Sequence, residues 1–212
     1  MKDIKNIVFD IGGVLARYNI TGFLAEKGFD KEMIRRILKA SLMTPYWGQF
    51  ERDELTEEEA LQGFASVDPE IEEELRTAFL SVEGMLTSQE FAIPLLKSLK
   101  AAGYGVYYLS NYSRKAFEEC GESLSFMPYM DDGIVSFKVK MTKPDPEMFR
   151  LFLDKFHLKA EECVFIDDTE ENVIQARKLG FIGIVFRSPE ELHKQMNELL
   201  DNERETDEKI TC

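Results

Sequence analysis

The sequence predicts an α/β fold: a Rossmann-like parallel sheet with helices on both faces and a helical cap inserted after the first strand. Two patterns and one long gap carry that prediction. Short apolar runs of strand type, "NIVF" at 6–9, "GVYYLS" at 105–110, "CVFID" at 163–167 and "GIVF" at 183–186, are each bounded by polar or glycine residues. Helical patterns alternate with them: "SQEFAIPLLKSLKAAG" at 88–103, "DPEMFRLFLDKFH" at 145–157 and "EENVIQARKLG" at 170–180. Two of these stop at glycine, as a C-terminal cap does. Strand alternating with helix means a parallel sheet buried on both faces. The gap, from 19 to 85, holds helical patterns such as "KEMIRRILKASL" and "EEEALQGFA" and no convincing strand.

In chain order, "MKDIK" leads straight into the first strand, with too few apolar residues for a signal peptide. No later run is long and apolar enough to span a bilayer, so neither export signal nor membrane anchor is expected. The first strand ends in Asp10, followed by Gly12 and Gly13. The segment 19–85 leaves the sheet there and returns before the second strand, which would set it over the sheet as a cap that excludes water and selects substrate. The plainer alternative is a helical layer with no part in chemistry. Ser110 and Asn111 end the second strand, and Asp167 and Asp168 the third. In parallel sheets the ligand crevice lies beyond the carboxyl ends of the strands, so one pocket is expected to gather them all. After residue 200, "DNERETDEKITC" is charged and aperiodic and reads as a disordered acidic tail. The domains expected are a core of 1–18 and 86–200, a cap of 19–85 and a tail of 201–212.

Composition narrows the function. At 212 residues and 44% hydrophobic, the chain supports one sizeable core and a smaller attached layer. A formal charge of −14 argues against nucleic acid, whose binding needs a basic face and counterion release. Cys120, Cys163 and Cys212 are odd in number and lack metal-like spacing, and His157 and His193 are the only histidines, so no zinc site is read. A reducing, cytoplasmic location and a monomer or weak homodimer are expected.

Each polar site taken singly has an ordinary explanation. Asp10 is a turn former at a strand end, and Ser110 caps the helix near Ser113. "KPDP" is a rigid helix entry with a solvated Lys143, and Asp167 and Asp168 serve a helix dipole. Together, two adjacent acids after one strand, another acid after a second, a hydroxyl and a lysine form a set that can hold Mg²⁺ and a phosphate at once.

Four motifs in order, "VFDIGGVL", "YYLSN", "MTKPDPEMF" and "VFIDDTEENV", resemble those of the haloacid dehalogenase superfamily, whose members are mostly Mg²⁺-dependent phosphatases. The resemblance runs from residue 4 to about 200, and the spacing resembles the subgroup with a helical cap after strand one. With "GQFERDELTEEEAL" in the cap, the motifs are similar to those of bacterial sugar-phosphate phosphatases, α-glucose-1-phosphate phosphatases among them. The resemblance implies that Asp10 attacks phosphorus to form an aspartyl-phosphate, that Ser110 and the Asn111 N–H bind the phosphoryl group and that Lys143 offsets its charge. Mg²⁺ would be held by Asp10, the Gly12 carbonyl, Asp168 and Asp167, with Asn172 behind them, while Gly12 and Gly13 let backbone groups approach.

One departure stands in the first motif: family phosphatases carry a second Asp two residues after the nucleophile, and here that position is Gly12. The usual general acid, worth about 10²- to 10⁴-fold in rate, is missing. Three readings stay open. The substrate has a better leaving group, such as the anomeric oxygen of a sugar 1-phosphate; or an acid comes from the cap or solvent; or turnover is lost and the chain is a non-catalytic, regulatory binder of phosphorylated ligands. Dehalogenases also lack that Asp, but Asp167 and Asp168 would set uncompensated charge beside a haloacid carboxylate. A mutase needs an acid–base group at both oxygens, so Gly12 argues against it too. Specificity is expected from Arg17, Tyr46, Trp47, Gln49 and Glu51, set against plain packing for the two aromatics. The function expected is a phosphatase acting on a small phosphorylated metabolite, a sugar phosphate above all.

Overall fold

The computed structural model describes the backbone of residues 3–210 and the side chains of residues 3–200. From the N-terminus, β1 (Asn6–Phe9) and β2 (Ala16–Tyr18) lead into five helices: α1 (Ile20–Glu26), α2 (Lys31–Ala40), α3 (Pro45–Glu51), α4 (Glu57–Val67) and α5 (Glu72–Phe79). There follow β3 (Leu86–Ser88), α6 (Ala92–Ala101), β4 (Gly105–Ser110), α7 (Arg114–Glu119), β5 (Asp132–Val135) and α8 (Ser136–Val139). The chain closes with α9 (Pro146–Phe156), β6 (Cys163–Asp167), α10 (Glu170–Lys178), β7 (Ile182–Val185) and α11 (Pro189–Ile210).

Five strands make one parallel sheet in the order β5-β4-β1-β6-β7. β1 is central, with Ile7 opposite Val106 on one side and Val164 on the other. Strand period two splits its apolar residues between two cores. Ile7 and Phe9 join Leu96 and Leu99 of α6 and Leu192 and Met196 of α11, whereas Val8 joins Phe149 and Phe152 of α9 and Val173 of α10. Because β4 and β6 flank β1, the chain order reverses at its carboxyl end. Asp10 stands at that switch point, where a doubly wound sheet opens its crevice.

β2 and β3 form an antiparallel pair, Arg17 opposite Thr87, through which the helical segment leaves and returns. Its helices have local causes. Asp30 caps α2 by accepting from the Met33 N–H at 2.8 Å, and Thr56 and Glu59 form a capping box at the start of α4. α2 buries Ile34, Ile37 and Ala40, and α4 and α5 bury Phe64 and Phe79, all in the core that also holds Ile7. Among the described residues no helix is long and apolar enough to cross a membrane.

The structure departs from the sequence reading in its short strands and in its tail. β2, β3 and β5 were not anticipated, and the last strand lies one residue earlier than "GIVF". The tail expected to be disordered from 201 is helical in its backbone to Ile210, because its Glu, Lys and Arg favour helix without needing a buried face; residues 211 and 212 lie outside the described residues.

Candidate active site

The site begins with the carboxylate at the end of β1. Asp10 is fixed through its own N–H, which donates to the Ile166 carbonyl at 2.8 Å. Its Oδ1 accepts from the Ile11 N–H at 2.8 Å and the Ser110 hydroxyl at 2.6 Å, and the Lys143 ammonium stands 3.0 Å away. Oδ2 accepts no hydrogen bond among the described residues. One oxygen is therefore locked by three donors and the other is left for something else.

Lys143 is buried at 4% exposure and reaches Asp167 Oδ2 at 2.6 Å as well. The end of β4 holds it there: its N–H donates to Asn111 Oδ1 at 2.8 Å and its carbonyl accepts from Asn111 Nδ2 at 3.0 Å. Asp167 also accepts from the Thr169 N–H at 2.8 Å and from Asn172 Nδ2, 3.1 Å from each oxygen. Burial works to lower the Lys143 pKa, yet Asp10 and Asp167 outweigh it and keep the ammonium charged. Burial raises Asp10 above the usual carboxylate range, with Asp167 adding to it and Lys143 and Ser110 opposing. Asp168 is raised by burial and then by Asp167.

Asp10, Asp167 and Asp168 each offer an oxygen within 4.8 Å of the others. One ammonium against three carboxylates leaves an excess of negative charge, and an all-oxygen set without thiol or imidazole suits a hard cation of the Mg²⁺ kind. The two glycines behind Asp10 differ in kind. Gly13 has φ +78° and a Cβ there would stand 2.2 Å from Asp168 Oδ2, so both backbone and space require glycine. At Gly12 a Cβ would meet nothing within 4 Å. The position that lacks an acid has room for one.

These groups open into a cavity of about 310 Å³, with Asp10, Gly12, Gly13, Asn111, Lys143 and Asp168 on the sheet side. Across it stand Tyr18, Leu42, Trp47, Glu51, Met85 and Leu86. Ser110 and Asp167 are both 0% exposed and sit behind this surface. A cavity of about 550 Å³ by Phe91, Leu95 and Leu192 is larger but shares no residue with the carboxylate cluster.

Two residues expected to face the substrate lie off the cavity wall. Arg17 is exposed on β2 and does not line the cavity; Tyr18 does, and neighbours on a strand point to opposite sides. Gln49 does not line it either, because Trp47 and Glu51 share a face of α3 at i and i+4 while Gln49 lies between them on the far side. Tyr46 packs against Gly63, where a Cβ would be 2.6 Å from its ring. Trp47 both lines the cavity and packs, its ring centroid 6.2 Å from that of Phe64 and 6.0 Å from that of Phe79. Tyr18 and Tyr112 were not anticipated. Tyr112 lines the cavity, is 4% exposed and has no hydrogen-bond partner for its hydroxyl among the described residues; its place two residues past Ser110 was the signal of it in the sequence.

The chain matches the haloacid dehalogenase-like hydrolase family over residues 4–180. It is 28% identical to a drimenol cyclase of Aspergillus calidoustus, covering 95% of this chain but only 38% of the length of that protein. It is 28% identical to a sesquiterpene phosphatase of Aspergillus oryzae, over 85% of this chain and 88% of that one. A D-ribitol-5-phosphate phosphatase of Bacteroides thetaiotaomicron is 26% identical, over 84% of this chain and 89% of its own. Among solved structures, a haloacid dehalogenase family enzyme of the same bacterium, in complex with magnesium and inorganic phosphate, superposes with a TM-score of 0.67 at 23% identity, covering 88% of this chain and 96% of that chain.

Proposed function

This chain belongs to the haloacid dehalogenase-like hydrolases, and from that premise we infer that it is a magnesium-dependent phosphatase of a small phosphorylated metabolite, a sugar phosphate foremost. The observation that carries the reading is Asp10 itself: Oδ1 is held by Ile11, Ser110 and Lys143, while Oδ2 accepts no hydrogen bond among the described residues. That is the arrangement of a nucleophile whose attacking atom is aimed rather than neutralised. The phosphatases of Aspergillus oryzae and Bacteroides thetaiotaomicron support the reaction class.

Asp10 Oδ2 attacks phosphorus, the ester oxygen departs, and water then hydrolyses the aspartyl-phosphate, dividing one displacement into two. Asp10, Asp168, Asp167 and the Gly12 carbonyl would hold Mg²⁺, which when bound supplies positive charge to the phosphoryl oxygens. Lys143, charged and buried between Asp10 and Asp167, offsets the remainder and keeps both carboxylates in place. Asn111 fixes the Lys143 backbone and so the height of the ammonium. The helices from 20 to 79 act as the cap, with Trp47 offering a sugar ring an apolar face. The apolar wall of Tyr18, Leu42, Met85 and Leu86 also favours a second reading, the phosphate of an apolar alcohol, in line with the sesquiterpene phosphatase.

The test is phosphate release from hexose 1-phosphates, a pentitol 5-phosphate, a prenyl monophosphate and an aryl phosphate, with Mg²⁺ and with EDTA. Release that needs Mg²⁺ and disappears in Asp10→Asn supports the reading, and the preferred alcohol decides between a sugar and an apolar chain. Folded wild-type protein that binds phosphate but releases none from any ester would instead be a binding protein.

A further inference from the structure

We propose that Glu51, at the last turn of α3, protonates the leaving oxygen and then takes the proton of the attacking water, the work for which Gly12 has no side chain. The proposal rests on the phosphatase reading above. Among the described residues lining the cavity, three carry carboxyl groups: Asp10, Asp168 and Glu51. Asp10 and Asp168 belong to the carboxylate cluster. Glu51 alone approaches from the helical segment, on the side from which a substrate alcohol must leave if its phosphoryl group rests on Asp10.

The position of Glu51 is fixed from both sides. Its carbonyl accepts from the Ser136 hydroxyl at 2.7 Å, and the same oxygen of Ser136 accepts from the Tyr112 N–H at 2.8 Å. One serine thus ties the Glu51 backbone to the chain two residues beyond Ser110. Past Glu51 the chain turns sharply at Asp53, with φ +56°, and Arg114 grips the Asp53 carboxylate at 2.9 and 3.1 Å. Lys115 holds Glu57 at 3.0 Å. These bonds bring the end of α3 down onto the sheet edge with the Glu51 side chain in the cavity.

Its surroundings suit proton transfer at neutral pH. Burial pushes the Glu51 carboxyl up to about 7, against the opposing pull of the Trp47 indole one turn back, of Lys143 and of Arg52. Tyr18 also faces it. An acid whose pKa lies near working pH donates and accepts with little penalty. The phenols on the cavity wall, Tyr18 and Tyr112, are raised by burial far above neutrality, and the Ser113 and Thr169 hydroxyls are aliphatic, so all four are poor acids. The proton balance closes over the cycle. As the P–O bond to the alcohol breaks, the Glu51 proton passes to the alkoxide, leaving an alcohol, a Glu51 carboxylate and aspartyl-phosphate. Water then bonds to phosphorus, its proton goes to Glu51, and Asp10 leaves as a carboxylate.

The test compares wild type, Glu51→Gln and Glu51→Asp on alkyl phosphates and on aryl phosphates of graded leaving-group acidity, with folding checked by circular dichroism. Glu51→Gln should lose about 10²-fold or more in kcat/KM on the alkyl esters but stay within a few-fold on the most activated aryl ester. Its rate should also depend more steeply on leaving-group acidity. In wild type the alkyl rate should fall as pH rises through about 7, where Glu51 loses its proton; Glu51→Gln should lack that limb and Glu51→Asp retain it. Equal loss on every ester, or none on any, overturns the assignment while leaving Asp10 as nucleophile. Wild type that hydrolyses no ester overturns the phosphatase reading and this one with it.

Discussion

At Asp10 the division of labour falls within a single carboxylate, and the two residues behind it decide how far that site tolerates change. Gly13 is glycine for two independent reasons: a left-handed backbone, and a Cβ that would stand 2.2 Å from Asp168 Oδ2. Gly13→Ala should cost about 1–2 kcal/mol from the backbone alone, seen as a lower midpoint in urea, and should displace Asp168 and so weaken the Mg²⁺ response of the enzyme. Gly12→Asp should meet no steric obstacle, since its Cβ meets nothing within 4 Å. Placed in the Glu51→Gln background, it should recover part of the rate lost on alkyl phosphates, because the new carboxyl stands on the cavity wall beside Asp10. No recovery, in protein that folds normally, would mean that a proton donor is not what Gly12 lacks.

Among the elements, legibility in the sequence followed length and burial. Strands at 6–9, 105–110 and 163–167 could be read to the residue because each is an apolar run buried on both faces and bounded by polar or glycine residues. β5 was hidden because "DDG" reads as a turn, and β2 and β3, three residues each, are too short for any period to show. The candidate site was legible where a residue ends a strand, as with Asp10, Ser110 and Asp167, since topology alone sends those to one crevice. It was illegible on the cap side, where one step along β2 or two along α3 turns a side chain away, as happened at Arg17 and Gln49. The clamp on α3 gives that segment a measurable role. The Arg114–Asp53 pair is half exposed and screened by solvent, so Arg114→Ala should change global stability little. A weak surface pair that holds α3 down still shifts an open–closed ratio by up to about fivefold. Kinetics should therefore show a fall of that size in kcat/KM for alkyl phosphates and a smaller one for activated aryl phosphates. An equal fall for both would disconnect the clamp from Glu51.

For the molecule as a whole, the doubly wound sheet gathers three acids of a chain already at −14 into one crevice with a single buried lysine. Folding must bring those carboxylates together, with Asp10 and Asp167 buried and Asp168 exposed beside them, so the cluster works against stability until a cation joins it. A cation that binds the native state alone adds RT ln(1 + [L]/Kd), about 2.7 kcal/mol at a hundredfold excess over Kd. In a chain of this length that corresponds to roughly 5–10 °C in Tm. Mg²⁺ should therefore raise the melting temperature in a saturable way, and NaCl at equal ionic strength, which only screens the overall charge, should raise it less. Asp168→Asn separates the two effects. Removing one of three crowded carboxylates should make the metal-free protein more stable than wild type, and the same change should abolish most of the Mg²⁺-specific rise. If NaCl reproduced the whole of the magnesium effect in wild type, the cluster would be a surface of charge and not a metal site, and the chemistry assigned to Asp10 would have to proceed with Lys143 alone.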